Sequence, residues 1–245
     1  MLVKIRSKYI IKEIFNNMKN KRKLNIIKYN KKILGRLNIN KEQFENYITL
    51  KEFNNKYYTN IEDIDLKELN LSNKNIDYEG LKDLVKIKFK ELNKLNLSEN
   101  EITDINILER VNYKKLKELN LSYNQISDIN ILEKVNFHEL EKLNLSYNQI
   151  SDINLLKKVK FPELIELNLA YNRLSNLNVL KKANFKALNI LNLSHNQISD
   201  ITIFKKVNFM DLYEFNLSCN QININSNTSI IKHLKSRIKK FIYKL

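Results

Sequence analysis

Six leucines, Leu92, Leu116, Leu140, Leu164, Leu188 and Leu212, fall 24 residues apart, and the same phrase surrounds each. It is clearest as Leu116-Lys-Glu-Leu119-Asn-Leu121-Ser-Tyr-Asn124-Gln-Ile126, continuing Ser-Asp-Ile129-Asn-Ile-Leu132-Glu-Lys-Val135-Asn-Phe137. A unit this short cannot shield its own apolar side chains, so it folds only by lying against its neighbours. Leu119 and Leu121 are two apart, the spacing of a short strand with one buried face. Ile126, Ile129, Leu132 and Val135 recur every three residues, which suits a tight 3₁₀ or short helical return. Phe137 closes the unit. Its equivalents Phe89, Tyr113, Phe161, Phe185 and Phe209 are expected to stack into an aromatic spine. Strands follow one another in parallel, and a wider return layer on the convex side makes the array curve.

The recurring turn residue Asn100, Asn124, Asn148, Asn172, Asn196 and Asn220 reads as structural. The chain has 2 glycines in all, so a side-chain amide is expected to satisfy the backbone where it leaves each strand. Asp104, Asp128, Asp152 and Asp200 stand just before the return segment, where a carboxylate caps free N–H groups. The first unit departs from the pattern. Lys74 replaces the turn asparagine, and two extra residues near Asp77-Tyr78-Glu79-Gly80 predict an irregular edge turn.

This phrase resembles the leucine-rich-repeat family, whose signature is L-x-x-L-x-L-x-x-N-x-[LI] in units of 20–29 residues. Its second half is most similar to the intracellular type found in protein-phosphatase regulatory subunits. The resemblance covers residues 66–224, as six full units and a truncated seventh. It implies an α/β solenoid with a curved parallel sheet, a 3₁₀ or short helical convex side, and helical caps at both ends. The chain accordingly divides into a helical segment at 1–60, the array at 61–226 and a basic amphipathic helix at 227–245.

The formal charge of +16 suggests nucleic acid until it is mapped. Residues 1–60 carry 15 Lys/Arg against 4 Asp/Glu, and residues 227–245 carry 6 basic residues and no acid. The array between them holds 22 basic and 23 acidic residues, a net −1. A phosphate-tracking surface needs a continuous basic stripe, so the array is not expected to bind nucleic acid. Cys219 is the only cysteine, which rules out an intrachain disulfide. Met1-Leu2-Val3-Lys4-Ile5-Arg6 has charges where a secretory signal needs an apolar core. Asn-Leu-Ser sequons start at Asn70, Asn96, Asn120, Asn144, Asn192 and Asn216, and glycans there would crowd one sheet face. A cytoplasmic or nuclear home is the expectation, with the chain as a monomer.

Residues alternating with Leu119 and Leu121 face the concave side. One row reads Glu68, Lys94, Glu118, Lys142, Glu166, Ile190, Glu214, and its opposite charges are expected to pair along the row. The next row is asparagine from Asn70 to Asn216. A third leaves the strand end as Asn73, Glu99, Tyr123, Tyr147, Tyr171, His195, Cys219. Tyrosine gives large contact area with few rotatable bonds, so this stripe is a candidate protein interface. The partner-binding candidates are therefore Tyr123, Tyr147, Tyr171, His195, Glu118, Lys142, Glu166 and Ile190. Cys219 and His195 could lie close together, but a sheet rim supplies no enclosed pocket or oxyanion donors. His138, His195 and His233 lack metal-ligand spacing, and Gly35 and Gly80 cannot build a phosphate loop. No catalytic, cofactor or metal residues are assigned.

Toward the N-terminus, Ile10, Ile11, Ile14, Phe15 and Met18 mark one helix. Leu24, Ile27, Ile33, Leu34 and Leu37 suggest a second, and Phe44, Tyr47, Ile48 and Phe53 a third. They serve as a cap for the first unit. Tyr9-Ile10-Ile11-Lys12-Glu13-Ile14-Phe15, then Leu24-Asn25-Ile26-Ile27-Lys28-Tyr29-Asn30, Leu34 and Leu37, also look like an F-box-type module, though the opening Leu-Pro is missing. That resemblance implies docking to a ubiquitin-ligase linker, with the repeats choosing the substrate. At the other end Ile230, Ile231, Leu234, Ile238, Phe241, Ile242 and Leu245 recur at helical spacing after Asn227-Thr228-Ser229, opposite Lys232, Lys235, Arg237, Lys239, Lys240 and Lys244. A capping helix is the first reading, and a membrane-surface or calmodulin-target helix the second. The whole reads as a non-catalytic scaffold that captures a partner protein on a concave face. The alternatives are a ubiquitin-ligase adaptor and a tether to an acidic surface.

Overall fold

The computed structural model describes residues 41–61, 64–183, 185–207 and 212–243. Residues 1–64 and 65–245 form two compact units. In the first, helix α1 (Lys41–Tyr57) carries Glu42 in its first turn and Lys56 in its last, both matched to the helix dipole. Ile48, Leu50 and Phe53 are buried. Asn54 closes the helix: its amide accepts from the Thr59 hydroxyl at 2.6 Å and the Ile61 N–H at 3.1 Å. The two helices expected upstream, and with them the F-box-like phrase, lie outside the described residues.

The second unit is one open sheet of eight parallel strands in chain order. Strands β1 (Glu68–Asn70), β2 (Lys94–Asn96), β3 (Glu118–Asn120) and β4 (Lys142–Asn144) are followed by β5 (Glu166–Asn168), β6 (Ile190–Asn192) and β7 (Glu214–Asn216). Register is residue for residue, so Leu69, Leu95, Leu119, Leu143, Leu167, Leu191 and Phe215 form one row. That row and the one two residues on, Leu71 to Leu217, are buried. Single-residue alternation therefore puts the core on one face and the Glu/Lys and Asn rows on the other. The return legs are 3₁₀ helices at Asn106–Arg110, Asn130–Glu133, Asn154–Lys157, Asn178–Lys181 and Thr202–Lys205.

Hydrogen bonding explains why these elements form almost without glycine. The turn asparagines Asn100, Asn124, Asn148, Asn172 and Asn196 are buried, and Asn220 is half-buried. Asn124 Nδ2 donates to Leu97 O of the preceding coil at 3.0 Å and to Leu121 O and Ser122 O of its own. Its Oδ1 accepts the Ile102 N–H at 3.0 Å. Asn148, Asn172 and Asn196 repeat this set. Four of the five return helices are primed by a carboxylate: Asp104, Asp128, Asp152 and Asp200 accept the N–H two residues on at 2.7–2.8 Å. Asn176 does the same in the one coil without aspartate.

One expectation is refined and two need correction. The turn of the first unit is irregular, with a second left-handed residue at Asn75 (φ 53°) after Asn73 (φ 54°). Its extra residues build helix α2 (Tyr78–Leu84), with Asp77 accepting the Gly80 N–H at 2.8 Å. Lys74 needs no side-chain amide of its own, because Asn100 Oδ1 accepts both the Lys74 and Ile76 N–H groups at 3.0 Å. The aromatic residues that close the coils are buried at Phe89, Tyr113, Phe137 and Phe161. Yet Phe89 and Tyr113 meet only at 6.3 Å and 57°, while a close face-to-face stack forms in a different row. Finally, the C-terminal helix α3 (Thr228–Arg237) does not run to Leu245. The backbone turns extended at Ile238, and Lys240–Ile242 becomes strand β8, parallel to β7. The free edge of β7 explains the switch: Leu217 donates to Ile242 O at 2.7 Å and Lys240 to Tyr213 O at 2.9 Å, groups otherwise left open at an edge. Ile230, Ile231 and Leu234 are buried, so α3 spends its apolar face on covering the last coil.

Replacing Asn148 with Ala removes donors and an acceptor from four buried backbone groups and should cost about 3 kcal/mol. Asp152→Ala, at an exposed cap, should cost about 1 kcal/mol. Urea midpoints of the two variants measure the difference.

Candidate functional site

The concave side of the array is built from three rows that the repeat sets at fixed offsets. In the first, Lys94 Nζ lies 3.4 Å from Glu68 and 3.5 Å from Glu118, and Lys142 Nζ lies 3.7 Å from Glu118. Glu214 is held by Lys240 of β8 at 2.8 Å. The expected ladder of opposite charges is therefore present, with side chains exposed enough for water to weaken each pair. It raises the Lys94 ammonium above its ordinary range, Glu118 being the largest cause and Glu68 the next. The ladder is broken at its centre. Glu166 makes no ion pair among the described residues: Lys142, in register with it on β4, meets Glu118 instead, and Ile190 stands on its other side.

The second row is asparagine, and it is not a free polar surface. Asn96, Asn120, Asn144, Asn168, Asn192 and Asn216 each accept the N–H two residues later at 3.0–3.1 Å, closing the strand into the turn. Together these two rows line an open trough of about 640 Å³ across β1 to β5.

The third row is the trailing rim, where the chain leaves each strand. The backbone ladder continues there, with Tyr123 N–H donating to Ser146 O and Tyr147 N–H to Ala170 O. Asn73, Glu99, Tyr123, Tyr147, Tyr171, His195 and Cys219 all have φ between 53° and 56°. For an L-residue other than glycine this left-handed region costs about 1–2 kcal/mol. The turn asparagine one residue later repays it by tying the turn down. Fixed in this way, the rings of Tyr123, Tyr147, Tyr171 and His195 stack face to face at 3.9, 3.9 and 3.8 Å, each pair inclined by 11°. Aromatic pairs left to themselves prefer offset or edge contacts, so the array imposes this arrangement.

The neighbouring Tyr147 hydroxyl is the largest influence on the Tyr123 phenol and raises it. Tyr147 has the Tyr123 hydroxyl as its largest influence, which lowers it; the Tyr171 hydroxyl and loss of solvent outweigh this, so its phenol too is raised. Tyr123 is 49% exposed and Tyr171 38%. Cys219 follows as an exposed free thiol. Among the described residues no three His, Cys, Asp or Glu side chains are grouped to hold a metal ion.

The structure thus sorts the candidates. Glu118 and Lys142 belong to the paired ladder. Tyr123, Tyr147, Tyr171 and His195 form one continuous ring row. Glu166 and Ile190 mark the break within the ladder row. Sequence reasoning missed the leading rim, the residue before each strand: Lys67, Asn93, Lys117, Glu141, Ile165, Asn189, Tyr213 and Lys239. Ile165 (39%) and Tyr213 (43%) are among the most exposed large hydrophobic residues described. Their signal was available, since both break a polar position in aligned repeats.

Against known proteins, the family described as leucine-rich repeats (2 copies) matches residues 90–134 and 138–182, and a single leucine-rich repeat matches residues 187–201. No curated protein matches the chain. Among solved structures, an internalin (inlF) from Listeria monocytogenes is similar at 24% identity and a TM-score of 0.51, over 74% of this chain and 56% of that one. An internalin C2 from the same organism matches at 24% and 0.52, over 79% of this chain and 91% of that one. A leucine-rich-repeat protein from Leptospira interrogans matches at 24% and 0.53, over 66% of this chain and 39% of that one. This chain therefore spans about half or less of two of these three. Identities this low establish a shared fold alone.

Because the hydroxyls of Tyr123 and Tyr147 hold their protons above the ordinary phenol range, the neutral row should persist up to that range. It should loosen as pH rises through the raised values. Difference spectra of phenolate absorbance between the wild type and Tyr123→Phe should place Tyr123 above free tyrosine. Tyr147→Phe should bring it back down.

Proposed function

Since the chain is a leucine-rich-repeat protein, we propose that it is a non-catalytic scaffold capturing a partner protein on its concave face and trailing rim. Curved repeat arrays in general present extended concave surfaces for binding. The observation that carries the reading here is the ring row. Tyr123, Tyr147, Tyr171 and His195 make a rigid, half-exposed aromatic ridge whose rotamers are already fixed by stacking. A partner meeting that ridge pays little to order it, which is how preorganised aromatic surfaces gain affinity. The open trough beside it is lined by paired ions and turn-held amides, a surface shaped for a macromolecule.

The concave asparagine row also bears on location. Its six sequons lie on the face proposed to bind, so glycans added in a secretory pathway would cover it. This favours a cytoplasmic or nuclear site of action. Among the described residues no helix is long and apolar enough to cross a membrane.

The expected outcome of replacing Tyr123, Tyr147 and Tyr171 together with Ala is an unchanged far-UV circular dichroism spectrum and at least about a tenfold loss of affinity for a captured protein. Affinity purification followed by mass spectrometry, wild type against triple variant, identifies that protein and measures the loss. Equal recovery by both would remove the ring row from the binding surface.

A further inference from the structure

In a stack of near-identical coils, the residues that break the pattern are the ones whose placement the stack does not require. On the concave side these departures gather at one place. The charge ladder pairs Glu68, Glu118 and Glu214 with lysines, but Lys142, in register with Glu166, meets Glu118 and leaves Glu166 without an ion pair. One strand further on, Ile190 replaces the expected charge, and the leading rim carries Ile165 and Tyr213 on either side of it. Ile165 and Tyr213 are 39% and 43% exposed, in a row otherwise charged or amide. The patch is bounded toward the C-terminus by cations. Lys239 Nζ sits 5.2 Å from the Tyr213 ring centroid and Lys240 is bound to Glu214.

We infer that this patch, Ile165, Ile190 and Tyr213 with Glu166 at its edge, takes a short extended segment of the partner that presents apolar side chains followed by a lysine or arginine. The inference rests on the reading that the concave side holds a protein, and it specifies the chemistry of what is held. An apolar cluster on an otherwise ion-paired surface favours an apolar anchor, since water gains nothing by staying there. A carboxylate beside that cluster, whose register neighbour Lys142 is drawn toward Glu118, favours a further cation. Direction follows from the same charges: Lys239 and Lys240 repel a cation at the β8 side, so the basic residue points toward β5. From β5 to β8 is three strand spacings, about 14 Å, which four or five extended residues span. The ring row lies at the opposite end of the strands, so the two surfaces can be disabled separately.

The test selects a phage-displayed random peptide library on the immobilised full chain, then measures a synthetic consensus peptide by fluorescence anisotropy. Enriched peptides should combine apolar residues with Lys or Arg. Ile190→Glu and Glu166→Lys should each weaken the consensus peptide at least about tenfold, with unchanged circular dichroism. Selection repeated on Glu166→Lys should enrich Asp or Glu where the wild type enriches a cation, a swap that a damaged fold would not produce. Enrichment of peptides without a basic residue, full affinity in Glu166→Lys, or no enrichment at all would overturn the assignment. Peptides lost only when the three tyrosines are replaced would overturn it too, while leaving the scaffold reading intact. That reading fails separately, if the triple variant still captures its protein.

Discussion

Each coil is tied to the one before it by a buried asparagine. Asn124 reaches back 27 residues to the Leu97 carbonyl and 22 to the Ile102 N–H, while holding its own turn through Leu121 and Ser122. Leaving buried backbone groups like these unpaired would be expensive, so a coil without its asparagine loses both its own turn and its grip on the preceding one. The neighbouring features follow from this knot. The turn can sit in the left-handed region without glycine, the strands stay in register, and the side chain at the left-handed position is delivered to the trailing rim at every coil. The stacked rings of Tyr123, Tyr147, Tyr171 and His195 are thus a by-product of turn chemistry, available for use because the array holds them still.

Much of this was legible in the sequence because period and register coincide. A 24-residue repeat in which Leu119 and Leu121 alternate with polar residues leaves one way to stack, so the core rows, the asparagine knots and the aspartate caps could be read from spacing. The ladder from Glu68 to Lys142 followed from the same alignment. What spacing could not show was competition at the ends. Ile238, Phe241 and Ile242 fit a helical period, but the open edge of β7 offered hydrogen bonds that a longer helix would have wasted. Near Asp77 two added residues gave enough chain for a helix, with a cap already in place. Spacing also did not reveal that the buried aromatics would not stack face to face, Phe89 and Tyr113 meeting at 6.3 Å and 57°.

The candidate site was half legible. Tyrosines in register announce themselves, and their stacking needed only strand spacing to foresee. The break at Glu166 and Ile190 sat in the right row but lacked its neighbours, because Ile165 and Tyr213 belong to a position that carries no core residue and so attracts no attention. In repeat proteins the uniform positions explain the fold and the deviant ones point to use. The fold itself is shared with proteins of other function, which is why the chemistry of particular side chains has to carry the argument.

The asparagine knot refers only to the coil behind it, never to a distant part of the chain. Copying one coil and splicing the copy next to its parent would therefore create no unfamiliar contact: each new amide would find a carbonyl and an N–H at the usual offsets. Length is then a quantity the gene can change by simple duplication, without redesigning any interface. Among the described strands the pattern changes at β8, where Ile242 occupies the concave row in place of the asparagine that every earlier strand hands to its turn.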